Sequence, residues 1–158
     1  MAGSIDVRVN LNEENDRIRK EIKRTITALT LRLERTIKED MLTGQRLKVQ
    51  SGRLRGSIVS KVSEEGNLIA GAVTAGGAHV KYAFIHEFGL TAPLMVKEHL
   101  RRIKQAFGRP ITPRDALIKA HTRNVKFPEK RFMRDSLLEV AKITPQNIER
   151  AIERGING

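Results

Sequence analysis

The sequence contains no cysteine and no tryptophan, and it has a single tyrosine among 158 residues. Without cysteine the chain forms no disulfide, thiolate metal site or cysteine nucleophile, and it needs no oxidising compartment. Only 39% of the residues are apolar, whereas 30% are charged. This length is sufficient for one domain with a real core. Because that core will be thin, we expect a subunit that completes its burial on neighbouring molecules.

Long hydrophobic runs are also absent. The N-terminal segment Met1–Asp6 lacks the basic and apolar regions of a targeting signal. The longest mostly apolar run, Leu68–Ala78, is far shorter than the roughly 20 residues that a membrane-spanning helix needs. We therefore expect no membrane partner.

Catalytic patterns are missing as well. The pair His86-Glu87 would suggest a zinc hydrolase only if a second histidine followed one turn later, but Leu90 occupies that position. The other histidines, His79, His99 and His121, have no metal-ligand spacing either. We expect no enzyme activity, no cofactor and no metal.

Acidic residues are the scarcer charged class. The chain has 30 Lys and Arg against 18 Asp and Glu, which gives a net charge of +12 and a pI near 10.6. Between Lys97 and Lys126 there are nine basic residues and two acidic ones, a local charge of +7. A polyanion is the expected partner, although neutralising phosphates carries no sequence information.

The N-terminal third is typical of one long helix, over residues 12–42. Asn12 is a suitable N-cap, Glu13 and Glu14 suit the positive end of the helix, and Gly44 lies just past its expected end. Spacings of three and four residues place six apolar residues on one stripe: Ile18, Ile22, Ile26, Leu29, Leu33 and Ile37.

Residues 51–90 are expected to form a sheet and a corner. Residues 57–75 have the alternation of two antiparallel strands joined by a turn at Glu64–Asn67. The small residues of Gly71–Gly77 favour a close approach by another backbone. In Tyr82–Gly89 we expect Phe84, Ile85 and Phe88 to point inward and the final glycine to turn the chain.

Residues 91–127 contain an internal repeat. The segment 96–104 (VKEHLRRIK) is echoed by 118–126 (IKAHTRNVK). We interpret both copies as strands of a hairpin with its turn in Gly108–Pro113. Such an arm could gather basic side chains to meet DNA or an acidic partner: Lys97, His99, Arg101, Arg102, Lys119, His121 and Arg123.

Two alternatives remain for this basic arm. Val96, Leu100, Ile103 and Phe107 could form a helical stripe closed by Gly108. The arm could also be a solvated edge whose lysines prevent aggregation. We favour the hairpin because the second copy is richer in β-branched residues.

Residues 131–155 are expected to form two C-terminal helices. The first passes through Leu137, Leu138 and Ala141, and the second runs from Thr144 to Arg154 with Pro145 in its first turn. The overall expectation is an α+β fold in a single domain, residues 1–158. A long N-terminal helix packs on a small, mainly antiparallel sheet with an extended hairpin arm.

Three segments, in order, resemble the tail-completion and head-tail joining proteins of long-tailed bacteriophages. The first is a Ser-Gly-x-Leu-Arg-x-Ser-Ile element at residues 51–58, and the second a Tyr-Ala-x-x-x-Glu-x-Gly element at 82–89. The third contains Pro128, Phe132 and Arg134, with Arg131 before the phenylalanine.

This resemblance implies a structural virion protein assembled in the host cytoplasm. Its expected form is a homo-oligomeric ring of six subunits at the neck, between the head connector and the tail tube. DNA is expected to pass through the lumen of this ring. The competing hypothesis is a basic nucleic-acid-binding module that uses the 97–126 hairpin.

The resemblance also indicates which residues contact neighbouring subunits or partners. They are Arg53, Leu54, Arg55, Tyr82, Glu87, Phe132 and Arg134. We further expect Tyr82 and Phe88 to be largely buried. The Glu87 carboxylate is expected to accept hydrogen bonds from backbone or from an arginine such as Arg53 or Arg55.

Overall fold

The computed structural model describes residues 2–8, 16–47 and 52–157, the first segment by its backbone only. The fold is α+β, as predicted. The chain divides into two compact units. The first, which we call the body, comprises Met1–Gly89 and Glu129–Gly158; the second, the arm, is Leu90–Pro128.

Helix α1 of the body spans Asp16–Arg35 and continues as a π-helical segment over Thr36–Gln45. All six residues of the apolar stripe are buried, which confirms the helix. Gly44, at φ 143°, breaks the helical geometry near the expected end. The expected cap Asn12 lies outside the described residues.

The body contains one antiparallel sheet in the order β1-β3-β2. Strands β2 (Val59–Glu65) and β3 (Leu68–Thr74) form the predicted hairpin around Gly66 and Asn67. Strand β1 (Ala2–Arg8) was not predicted, although the alternation of Ile5, Val7 and Val9 is a signal for it.

Strand β3 packs directly against α1. Ile69 and Val73 are almost fully buried on the helix-facing side. Between them, a Cβ at Gly71 would overlap the Thr30 hydroxyl of α1. The close approach predicted for this glycine-rich strand therefore comes from a helix side chain.

Helix α4 (Phe132–Asn157) is one continuous helix, so the prediction of two C-terminal helices was wrong. Pro145 lies inside it, where it removes one backbone hydrogen bond. Beside the proline, the Thr144 hydroxyl donates to the Val140 carbonyl at 3.0 Å. Buried residues before and after the proline, Val140 and Ala151, keep the helix on the core.

The two long helices cross closely near Gly155. A Cβ on this residue would lie 2.5 Å from the Ile18 Cα atom. At the same crossing, Arg154 Nε lies 3.2 Å from a carboxylate oxygen of Glu21.

The polar face of α1, which was predicted to be solvated, also forms ion pairs with the sheet. Arg19 Nε and Lys23 Nζ lie 2.6 and 2.7 Å from the Glu64 carboxylate. These hydrogen bonds, from Lys23 first and Arg19 second, lower the pKa of Glu64. Lys38 and Ser60 lower the pKa of Glu34 in the same way, opposed in part by burial.

The arm consists of two antiparallel ladders. Strands β4 (Leu90–Val96) and β7 (His121–Phe127) form the base ladder. Strands β5 (His99–Ala106) and β6 (Arg109–Ile118) form the tip ladder. The predicted extended hairpin is correct, and the helical alternative was wrong.

The turn of the arm is tighter than predicted. It is formed by Phe107 and Gly108, both at positive φ (50° and 75°), as the mirror-image turns of two-residue hairpins require. The prolines that suggested a wider turn lie inside β6. They are tolerated because a two-stranded ribbon has free edges and because the ladder bulges between Ile103 and Gln105.

Candidate functional site

The corner, which we define as Tyr82–Gly89 together with Glu129–Arg134, is organised by a buried carboxylate. Glu87 lies on α3 (Tyr82–Phe88) and is only 1% exposed. Its two oxygens accept hydrogen bonds from the backbone N–H groups of Met133 and Arg134, at 2.8 and 3.0 Å. These N–H groups open helix α4 and have no partner within the helix, so Glu87 caps it from a distant part of the chain.

Arg134 completes this cap. Its Nε donates to the Glu87 carboxylate at 3.0 Å, and a terminal nitrogen donates to the Glu87 carbonyl at 2.8 Å. The same nitrogen donates to Glu129 at 2.8 Å. Hydrogen bonds from Arg134 to Glu129 first and Glu87 second raise the pKa of the guanidinium.

The expectation for Glu87 is therefore confirmed. It accepts hydrogen bonds from backbone and from an arginine, but that arginine is Arg134 rather than Arg53 or Arg55. The second and third elements of the family resemblance meet at this contact.

The first element also has a structural role. Gly52 takes a positive φ of 69° before the short helix α2 (Arg53–Gly56). Ser57 then accepts a hydrogen bond from the Gly76 N–H at 3.1 Å and donates to the Leu54 carbonyl at 2.7 Å. Ser51 lies outside the described residues.

This arrangement corrects several predicted partner contacts. Glu87 and Phe132 are buried within their own chain, so they do not form a surface. Leu54 packs on the core beside α1. Arg53 and Arg55 are exposed and remain available to a partner.

The outward face of α3 differs from the prediction. Ala83 and Glu87 point inward, whereas Phe84 and Phe88 are 59% and 45% exposed. The two rings pack together with centroids 4.7 Å apart, and the Arg134 guanidinium lies 4.9 Å from the Phe88 centroid. The prediction that Phe84 and Phe88 point inward was wrong, because the helix turns its other i,i+4 pair toward the core.

Tyr82 is half-buried rather than largely buried. Its ring meets the His86 ring edge to face, with centroids 5.7 Å apart. Burial, and secondarily the charge of Lys130, lower the pKa of His86. The imidazole thus has a packing role at this corner.

None of the arm residues 90–128 is buried. In the base ladder, one face carries Leu90, Leu94 and Phe127, which stay 40%, 49% and 50% exposed. Ala92, Val96 and Val125 share that face by the strand register. Arg123 and His121 lie on the same face, opposite Leu94 and Val96, so this face is apolar except at its basic end. The other face carries Pro93, Met95 and four polar residues.

The repeated sequence marks a repeated break in the arm. Both strands lose regular pairing at the same level, at Lys97-Glu98 in one strand and Lys119-Ala120 in the other. The Nδ1 atoms of His99 and His121 lie 2.9 and 3.0 Å from the carbonyl oxygens of Lys97 and Lys119. The two histidines therefore repeat one local geometry.

The predicted basic residues do not lie together in a single patch. His99 and Arg101 share a face of the tip ladder, while Arg102 lies on its other face. His121 and Arg123 belong to the base ladder, and Lys97 and Lys119 lie in the breaks. The two repeat copies were predicted to bring their basic side chains into one patch, but each copy spans the junction between the two ladders.

Other kinds of site find little support in the described part of the chain. Residues 16–47 and 52–157 contain no group of three or more side chains that could hold a metal ion. Within those same ranges, no helix has the length and apolarity to cross a membrane.

Comparison with known proteins gives no assignment: no protein-family model, curated protein sequence or solved structure matches this chain.

Proposed function

We propose that this chain is a structural virion protein of a phage neck, which assembles as a homo-oligomeric ring that completes the tail and joins it to the head connector. The observation that carries this proposal is the uncovered apolar face of the base ladder. Leu90, Leu94 and Phe127 are exposed to water, and no residue of the arm is buried. Covering these side chains with another molecule would therefore be favourable in free energy. A second copy of the chain is the partner that would cover this face.

The family resemblance supports the same proposal. Its second and third elements meet in the Glu87–Arg134 contact, so these residues have a shared structural purpose. Repeated around an axis, contacts between two different surfaces of one chain generate a closed ring when the rotation from one subunit to the next closes on itself. The exposed pair of Phe84 and Phe88 offers the body a second apolar surface for such contacts.

Native mass spectrometry of the purified chain, alone and with its head-connector and tail-tube partners, tests the proposal. We expect closed rings for the natural chain and for Met95→Asp, and loss of rings for Leu94→Asp. These neighbours lie on opposite faces of one strand and are both exposed, so they form a matched pair. A natural chain that stays monomeric even with both partners contradicts the proposal, as does equal assembly of the two variants.

A further inference from the structure

The tip ladder of the arm, taken together with the breaks at Lys97-Glu98 and Lys119-Ala120, differs from the base ladder in its charge. Residues 97–119 contain seven basic residues and two acidic ones, a charge of +5. The basic residues are Lys97, Arg101, Arg102, Lys104, Arg109, Arg114 and Lys119. None of them forms an ion pair with a carboxylate of the described residues. Their positive charge is therefore free to attract a polyanion.

A bulge lies beside three of these basic residues, Arg101, Arg102 and Lys104. Between Ile103 and Gln105 the pairing register shifts, so Lys104 faces the three residues Ile111–Pro113 of the opposite strand. Bulges of this kind bend a strand and redirect its side chains. A depression of about 830 Å³ lies on this part of the ribbon. Its lining draws three basic residues from both faces of the ribbon and no acidic one: Arg101, Arg102, Ile103, Lys104, Gln105, Pro110 and Ile118.

The turn adds an apolar end to the ribbon. Phe107 is fully exposed and adopts a φ of 50°, a conformation that a bulky residue rarely takes. Phe107 is close in sequence to the basic residues Lys104 and Arg109.

We propose that the tip ladder binds duplex DNA through its phosphate backbone, with Arg101, Arg102 and Lys104 as the principal contacts. A two-stranded ribbon fits a major groove about 12 Å wide. The binding is independent of sequence, because phosphate contacts position a protein without reading bases. This inference concerns the tip ladder alone and does not depend on ring assembly.

Fluorescence anisotropy with a labelled short duplex of mixed sequence, over a series of salt concentrations, tests this inference. The variant Arg101→Gln/Arg102→Gln/Lys104→Gln should bind at least about tenfold more weakly at low salt. Its slope of log affinity against log salt should be smaller by about 2.7, since each phosphate contact contributes about 0.9. The matched control is Arg17→Gln/Lys20→Gln/Arg32→Gln, which removes three exposed basic residues from α1 and should keep both affinity and slope.

Three outcomes overturn the inference: unchanged affinity of the tip variant, an equal loss in the α1 control, or an unchanged salt slope. Binding to polyglutamate or to phosphatidylglycerol vesicles as tight as binding to the duplex also overturns it, because the arm would then be selecting charge alone or a membrane. Native mass spectrometry of the tip variant separates this result from the neck proposal. For the natural chain, closed rings without duplex binding show that the DNA inference has failed, and duplex binding without rings shows that the neck proposal has failed; the tip variant should keep the rings and lose the duplex.

Discussion

The body and the arm differ in how far their side chains are buried. The body buries its apolar stripe, caps α4 with a buried carboxylate and ties α1 to the sheet through Glu64. The arm has regular hydrogen-bonded ladders but no buried side chain. Hydrogen-bonded strands without a covered apolar face contribute little stability in water. The body therefore has a packed core of its own, whereas the arm, on our proposal, contacts other molecules.

The largest expected effect on the body follows from removing the Glu87 carboxylate. In Glu87→Ala, the N–H groups of Met133 and Arg134 lose their acceptor inside the protein. We expect the free energy of unfolding to fall by about 3 kcal/mol, measured by urea denaturation. The matched control is Glu129→Gln, which removes the exposed carboxylate on the same arginine and should cost less than about 1 kcal/mol. Equal losses would show that burial of Glu87 is not what matters.

A smaller loss is expected at the crossing of α1 and α4. In Gly155→Ala the new methyl group would press on the backbone of Ile18, which cannot move without shifting α1. We expect about 1–3 kcal/mol of destabilisation in the same denaturation assay. Gly56→Ala is the control, because a Cβ there meets nothing within 4 Å, and it should be neutral. A neutral Gly155→Ala would mean that the crossing is loose.

How far the sequence predicts this structure depends on the range of the interactions. The stripe of α1 and the β2–β3 hairpin follow from local periodicity, and both were predicted correctly. In α3 the helix has two i,i+4 pairs that compete for the core, and apolarity favours Phe84 and Phe88. The core instead takes Ala83 and Glu87, since the carboxylate has partners 46 and 47 residues further along the chain. Local patterns contain no trace of such distant partners.

The arm shows the same limit for a repeat. The echo of 96–104 in 118–126 correctly predicted an extended, folded-back segment. It could not set the register, because pairing is determined by the Phe107-Gly108 turn and by the bulge. Proline at 110 and 113 suggested a turn, although the free edges of a two-stranded ribbon accept proline within a strand.

The central claim is that the arm serves partners and leaves the stability of the body unchanged. Replacing residues 90–128 with a short Gly-Ser linker tests it most directly. The linker can close the gap because the Lys130 N–H bonds the His86 carbonyl at 2.7 Å, which holds the two ends of the body together.

Urea denaturation and native mass spectrometry of this shortened chain give the deciding measurement. We predict cooperative unfolding with a free energy within about 1 kcal/mol of the full chain, together with loss of rings and of duplex binding. A shortened chain that is already unfolded without urea would contradict the account. A shortened chain that still assembles into rings would contradict it as well.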